Sequence, residues 1–403
     1  MRDRLLPRRA VARGLAGSAL AGATLGSLSR PSRAALPPMP TSPVAISIMD
    51  VAGALALHQR AFENYRAAHG EILSRITFVK APAPELAGKI KAQQDAGRSD
   101  LDLVLTASDG LSAGLAQDLW QPILPQYEEK FPNLYNDYLP AALNLQRAQG
   151  GNVGIVCSYY PSGPLLEYLP DTVATPPGTA EELLAWAKAN PNRFMYARPT
   201  NSGPGRTFIM GLPYLLGDKE PKDPVNGWDK TWAYLQELGG AIEYYPTGTG
   251  VTMKELGDGS RDLIVSTTGW DINPRALGIV PKEAKIAVMK GHHWVSDANY
   301  MVVPRGLPPD HLAVVLDMME YVLQPKMQAY AYDEGYLYPG PAVKNVPLDL
   351  APVASQAVIR DYGRPEYAAL IADYPIELPL KPDQLILAFR RWDETIGSKA
   401  GRR

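Results

Sequence analysis

Several short stretches of this sequence gather charged, aromatic and glycine residues where the chain is expected to turn. Asn201-Ser202-Gly203-Pro204-Gly205-Arg206-Thr207 runs into the apolar stretch Phe208 to Leu216. Its glycines let a ligand approach the main chain, and a helix starting there presents unpaired amides. Arg206 adds a side chain able to grip a carboxylate or phosphate with two hydrogen bonds. The stretch lacks a Gly-Lys-Ser/Thr ending, which sets it apart from a nucleotide phosphate cradle. A Gly-rich turn with Arg206 facing solvent accounts for the same residues without a ligand. Gly248-Thr249-Gly250-Val251-Thr252 opens another expected helix, as a second amide nest or as an ordinary flexible turn.

Thr267-Thr268-Gly269-Trp270-Asp271 ends the apolar run Leu263-Ile264-Val265, which puts Trp270 and Asp271 on a strand-end rim; Trp294 and Asp297 lie on a later segment. For either pair the competing reading is a core tryptophan beside a capping aspartate. Ligands of open α/β sheets sit at the carboxyl ends of strands. Asp50, after the run Val44 to Met49, and the turn Thr106-Ala107-Ser108-Asp109, after Leu101 to Leu105, stand at such ends. Both are equally read as helix N-caps, where Asp and Ser are favoured.

Neither metal nor cofactor is expected. Tyr159-Tyr160 and Tyr244-Tyr245 could offer phenolate oxygens, but a strand that turns one tyrosine inward and the next outward explains each pair. His292 and His293 are neighbours on an extended segment and so point apart. A single cysteine, Cys157, excludes an intrachain disulfide and a multi-cysteine metal cluster. His-Glu-x-x-His is absent, and the chain is not expected to be an enzyme.

The elements that must position these residues alternate. Val44 to Met49 reads as a strand, Leu55 to Ala68 as a helix and Ile76 to Val79 as a strand; Pro84 to Ala96 reads as a helix and Leu101 to Leu105 as a strand. Such alternation builds parallel sheets through crossover helices. The grammar repeats with strand Val153 to Ser158, helix Thr179 to Ala189 and strand Phe194 to Ala197, giving two α/β lobes. Thr179-Ala180-Glu181-Glu182 is a capping box. Strand-like runs at Ile286 to Met289 and Tyr300 to Val303 precede helices at Pro309 to Leu323 and Lys326 to Asp333; helical pieces follow at Ala351 to Tyr362 and Pro382 to Thr395.

The 403 residues carry 40 basic and 42 acidic side chains. A balance this even, with the basic residues scattered, argues against nucleic acid as a partner. Residues 1–34 resemble an export signal: five arginines up to Arg13, a weakly apolar stretch Leu15 to Leu28, and Ser32-Arg33-Ala34 at the expected cleavage site. Arg8-Arg9 resembles the twin-arginine pair, with an ordinary secretory signal as the alternative. The apolar stretch falls short of the ~20 residues of a spanning helix, and no cysteine stands at the cleavage site for a lipid anchor. The expected product is a soluble periplasmic protein. Without those residues the chain holds 33 basic and 41 acidic side chains, which tilts it towards cationic partners.

The order of these elements resembles the extracellular solute-binding proteins of ABC importers, with a type II two-lobe fold. Gly154-Ile155-Val156-Cys157-Ser158-Tyr159-Tyr160 resembles the family's crossing segment, and Pro177 to Leu184 is similar to its helix start. Trp294 to Gly306 and Gly335-Tyr336-Leu337-Tyr338-Pro339-Gly340 resemble its return crossing and closing motif. The resemblance implies a leader over 35–43, lobe 1 from 44–153 and 298–345, lobe 2 from 154–297, and a C-terminal helical segment over 346–403 packing on the lobes. Each lobe is then a mixed sheet flanked by helices, with the ligand cleft between them. It further implies a monomer that closes over a small solute and docks on a membrane permease. Tyr160, on the crossing, and Tyr336 join the expected ligand contacts. Trp followed by Asp at 270–271 and at 294–297 resembles polyamine-binding members, in which aromatic faces sandwich methylenes and carboxylates hold ammonium ends. A polyamine-like cation is the favoured solute. Ser202, Gly205 and Arg206 support a carboxylated or phosphorylated solute instead, and a zwitterion satisfies both sets. The same residues also leave room for a ligand-sensing receptor partner or a secreted hydrolase.

Overall fold

The computed structural model describes residues 34–398. The export segment expected over residues 1–34 lies outside them except for its last residue. Among the described residues, eleven strands form two sheets. They are β1 Val44–Asp50, β2 Leu73–Lys80, β3 Leu103–Thr106, β4 Gly154–Gly163, β5 Leu165–Tyr168, β6 Phe194–Met195, β7 Leu263–Ser266, β8 Lys285–Ala287, β9 Trp294–Val302, β10 Gly340–Pro341 and β11 Ile376–Glu377. The large sheet runs β10-β4-β9-β3-β1-β2, with β11 also on β9; the small sheet runs β6-β7-β5-β8.

β1 pairs in parallel with both β2 and β3. Parallel neighbours need a crossover, supplied by helices Ala54–Ala68 and Ala83–Asp95. Helix Ala54–Ala68 buries Ala54, Leu57, His58, Ala61, Phe62 and Tyr65, the helical spacing of one buried face. Here the large sheet keeps its core, around Phe62, Leu105, Trp120, Ile155 and Met301.

Strands β4 and β9 differ from the rest. Every residue of both is buried, and they pair antiparallel from Gly154 opposite Val302 to Gly163 opposite Val295. Beyond Gly163 the chain passes Pro164 and enters β5 of the small sheet, so this ribbon links the two sheets. The small sheet has its own core, with Phe194, Tyr196, Phe208, Trp232 and Leu263. Helix Ala180–Ala189 starts at the expected cap: Thr179 Oγ1 accepts from Glu182 N at 3.1 Å, but the Glu182 carboxylate reaches one residue further back than a capping box does and accepts from Gly178 N at 2.7 Å.

The C-terminal residues tie into both halves. Trp392 of helix Pro382–Trp392 packs in the second core and donates to Tyr196 Oη at 3.0 Å. Gln149, from the large-sheet half, donates to the Leu380 carbonyl at 2.9 Å. The helix expected over Lys326 to Asp333 is instead a short α-helix, Pro325–Gln328, continued by a tighter 3-10 turn over Ala329–Gly335. Asp333 and Glu334 take positive φ there, which ends regular helical geometry. No helix among the described residues is long and apolar enough to cross a membrane.

Candidate functional site

A cavity of about 170 Å³ lies between the large-sheet and small-sheet halves. Its wall comes from both halves. Val51, Ala52, Ala107 and Asp109 follow β1 and β3 of the large sheet. Asn201, Ser202, Gly203, Arg206, Thr249, Thr267 and Trp270 come from the small-sheet half, and Tyr160, Tyr336 and Leu337 complete the wall.

Three helices begin at this wall: Ser108–Leu115, Gly203–Leu216 and Thr249–Gly257. The first N–H groups of a helix have no intrahelical acceptor, so each start brings partial positive charge. Ser202 caps its helix by accepting from Gly205 N at 3.2 Å, and its Oγ stands 2.8 Å from Thr249 Oγ1. Asn201 Nδ2 donates to the Thr247 carbonyl at 2.8 Å, tying the two loops together. Gly205 is on this turn for space rather than for ligand contact. A Cβ there would stand 2.1 Å from the Ala197 carbonyl oxygen.

Arg206 is the electrostatic centre. It is 2% exposed, donates from Nη1 to Asp109 Oδ2 at 2.8 Å, and donates from Nη2 to Asp297 Oδ2 at 2.5 Å. Burial by itself would lower its pKa, but Asp297 and Asp109 reverse that and hold it above the ordinary guanidinium value. The Asp297 carboxylate also accepts from Ser108 Oγ at 3.0 Å and from Ala298 N at 2.9 Å. Tyr160 sits opposite Asp297 across β4 and β9; burial, then the Asp297 charge, push its phenol far up, so it is a neutral hydroxyl. The Trp270 and Tyr336 rings are 5.3 Å apart and tilted by 56°. Burial, then Asp50, raise the Tyr336 phenol as well.

Of the expected contacts, Asp109, Tyr160, Asn201, Ser202, Gly203, Arg206, Trp270 and Tyr336 line this cavity. Asp50, Ser108, Gly205, Asp271, Trp294 and Asp297 stand off its wall. Asp50 accepts from the N–H groups of Ala52, Ala54 and Leu55, as a carboxylate at a helix start does. Asp271 is fully buried and turned away: it accepts from Gly269 N at 3.1 Å, from Arg364 Nε at 2.7 Å and from the Tyr367 hydroxyl. That arrangement fixes the turn bearing Trp270. Its Gly269, at φ 98°, packs against the backbone of Gly335 and Tyr336 too closely for any side chain. Trp294 is fully buried with Leu165, Ile272 and Tyr367, and its indole donates to the Leu370 carbonyl at 3.0 Å. β9 begins at Trp294, six residues before the run visible in the sequence, and this extension carries Trp294 into the core.

The wall also contains residues that the sequence did not single out as contacts, namely Val51, Ala52, Ala107, Thr249, Thr267 and Leu337. Ala107, Thr249, Thr267 and Leu337 belong to stretches that carried a signal, as a strand-end turn, a possible amide nest, a strand-end run and the closing motif; Val51 and Ala52 had none. Gly110-Leu111-Ser112-Ala113-Gly114 has the Gly-x-Ser-x-Gly spacing of a hydrolase nucleophile turn. Ser112, however, is inside a helix, buried, and donates to the Ser108 carbonyl at 2.5 Å, so it is not an exposed nucleophile at a strand-to-helix turn.

Residues 60–360 match the family model of the bacterial extracellular solute-binding proteins. The chain belongs to that family. No curated protein sequence matches this solute-binding protein. Solved structures similar to it include the spermidine/putrescine ABC transporter substrate-binding protein PotD of Streptococcus pneumoniae. It has 15% identity and a TM-score of 0.57, with 86% of this chain and 99% of that one covered. AfuA of Actinobacillus pleuropneumoniae, a periplasmic binding protein with exogenous fructose-6-phosphate bound, has 13% identity, a TM-score of 0.61 and coverage of 87% and 98%. A ferric binding protein from Campylobacter jejuni has 15% identity, a TM-score of 0.61 and coverage of 89% and 100%. At these identities the likeness concerns the fold, the type II periplasmic-binding-protein architecture.

Proposed function

We propose that this solute-binding protein captures a small charged solute in the cavity between its two halves and delivers it to the membrane permease of an ABC importer. The observation that carries the reading is the composition of the wall: Ala107 and Asp109 come from the large-sheet half, and Ser202, Gly203 and Thr249 from the small-sheet half. A solute touching both halves interacts with the closed arrangement more strongly than with an open one, and that difference is what drives closure. The β4–β9 ribbon is the link about which lobe 1 (44–153 and 298–345) and lobe 2 (154–297) move, and the segment over 346–403 packs on both. The protein works outside the cytoplasm, reached through the export signal over residues 1–34, as a monomer.

Both carboxylates of the polyamine reading are engaged within the protein, Asp271 by Arg364 and Tyr367 and Asp297 by Arg206, Ser108 and Ala298, and the strand-end Asp50 is held by the N–H groups of its own helix start. Asp109, held by Arg206 and Gly110 N, is the one of these carboxylates that lines the cavity, where with the Trp270–Tyr336 pair it can face one ammonium group. The helix starts at Gly203 and Thr249 favour an acidic group on the same solute. A thermal-shift panel of polyamines, amino acids, organic acids and sugar phosphates tests the reading. A solute binding only the folded state stabilises it by about 2.7 kcal/mol at 100 times its dissociation constant. At least one class should raise the melting temperature in proportion to its concentration. A panel without any such shift contradicts solute capture.

A further inference from the structure

We infer, resting on the solute-capture reading, that the cavity takes a small zwitterion. Its acidic group, a carboxylate or phosphate, lies at the starts of helices Gly203–Leu216 and Thr249–Gly257, and its ammonium group lies at Asp109 beside Trp270 and Tyr336.

The acidic end has donors with nothing else to do. Pro204 has no N–H, and the N–H of Gly205 is taken by Ser202 Oγ, which leaves that of Gly203. Among the described residues, the N–H groups of Thr249 and Gly250 also find no acceptor. Arg206 Nε is buried and lacks a partner although its residue lines the cavity. A buried donor left unpaired costs roughly 1–3 kcal/mol, so a ligand oxygen supplied there is favoured.

The other end has the opposite sign. Asp109 and Asp297 set two carboxylates against the single guanidinium of Arg206. Of the two, Asp109 reaches the cavity, with a side chain 12% exposed against 1% for Asp297. The surplus negative charge therefore faces the solute at Asp109, where the two rings add the attraction of their π faces for a cation. A diamine would anchor one end here and leave its other ammonium against positive helix starts. A simple acid would place its carboxylate beside the surplus charge of Asp109. A molecule with both charges meets neither penalty. The volume, about 170 Å³, suits a solute roughly the size of benzene, which fills an apolar cavity of ~150 Å³.

Isothermal titration of the full chain with matched probes tests this. The zwitterions are β-alanine, 4-aminobutyrate and phosphoethanolamine. Propionate, butyrate and ethyl phosphate lack the ammonium, ethylamine and propylamine lack the acid, and putrescine is the diamine. One zwitterion should bind at least ten times more tightly than both of its stripped partners. Asp109→Asn should weaken that zwitterion at least tenfold and strengthen the matching acid. Should Asp109→Asn not fold, Trp270→Ala serves instead and should narrow the gap between zwitterion and acid. Putrescine, a stripped acid or an uncharged metabolite binding as tightly as any zwitterion overturns the inference and leaves solute capture standing. No binding by any probe or by the broader metabolite panel overturns both.

Discussion

Replacing Arg206 by methionine separates two roles that one ion-pair cluster can have. Arg206 is on the small-sheet half, and its carboxylate partners Asp109 and Asp297 are on the large-sheet half and on the connecting ribbon. Removing one partner of a buried ion pair costs ~3–5 kcal/mol when the survivor stays buried. Here the survivor from the other lobe, Asp109, has an escape, because separation of the halves returns it to water, while Asp297 keeps its hydrogen bond from Ala298 N. The cost then falls on the closed form and not on the fold. Converted to populations, it reduces the closed-to-open ratio by a factor on the order of 10² to a few times 10³. Small-angle X-ray scattering of the unliganded variant should give a larger radius of gyration than wild type, while its calorimetric melting temperature falls by much less than the full energy implies. An unchanged radius together with the full loss of thermal stability would refute the reasoning and make the cluster a support of the fold.

Three further outcomes follow from particular contacts. Trp294→Ala should lose about 3–5 kcal/mol in urea unfolding, since the ring is fully buried in the core, yet bind solute within a few fold of wild type; strong loss of affinity in a folded variant would put Trp294 in the site. Glu167 is fully buried on β5, where burial first and then Asp271 push its carboxyl up to about 8, from 4.5 when free. The native state therefore keeps a proton that the unfolded chain releases between those values. Its contribution is complete below pH ~4.5 and declines by up to about 1.4 kcal/mol per pH unit as pH rises towards 8. Glu167→Gln should flatten that slope in denaturant titrations, and parallel slopes in the two proteins would contradict the assignment. Arg364→Met leaves the buried Asp271 carboxylate without its guanidinium, so it should cost ~3–5 kcal/mol and also weaken solute binding through the Trp270 turn. Wild-type affinity in a folded variant would show that this turn needs no such support.

Sequence reading found most of the regular elements because their patterns are local. The run Val44 to Met49, the helical spacing from Leu55 to Ala68 and the Thr179 capping box each carry their own signal, and they correspond to β1, helix Ala54–Ala68 and helix Ala180–Ala189. The Asn201 to Thr207 loop was legible for the same reason: glycines and a serine ahead of an apolar run define a helix start whatever surrounds it. Helices Asp229–Leu238 and Tyr367–Asp373 were not read. The fates of the aspartates were not legible either, because they depend on partners far along the chain. Asp271 meets Arg364 and Tyr367, and Asp297 meets Arg206. A Trp-Asp pattern shows that a ring and a carboxylate are neighbours; it does not show which of them a distant arginine will claim. The extension of β9 back to Trp294 was hidden in the same way, since its burial on both faces removes the alternation by which a half-exposed strand announces itself.

The most direct test of the central claim is a crystal structure of the protein with the tightest-binding solute from the panel. The solute should lie in the cavity between the two halves, touching Asp109 on one side and the helix starts at Gly203 and Thr249 on the other. Electron density for the solute at any other place, or contact with one half of the molecule alone, would contradict the claim.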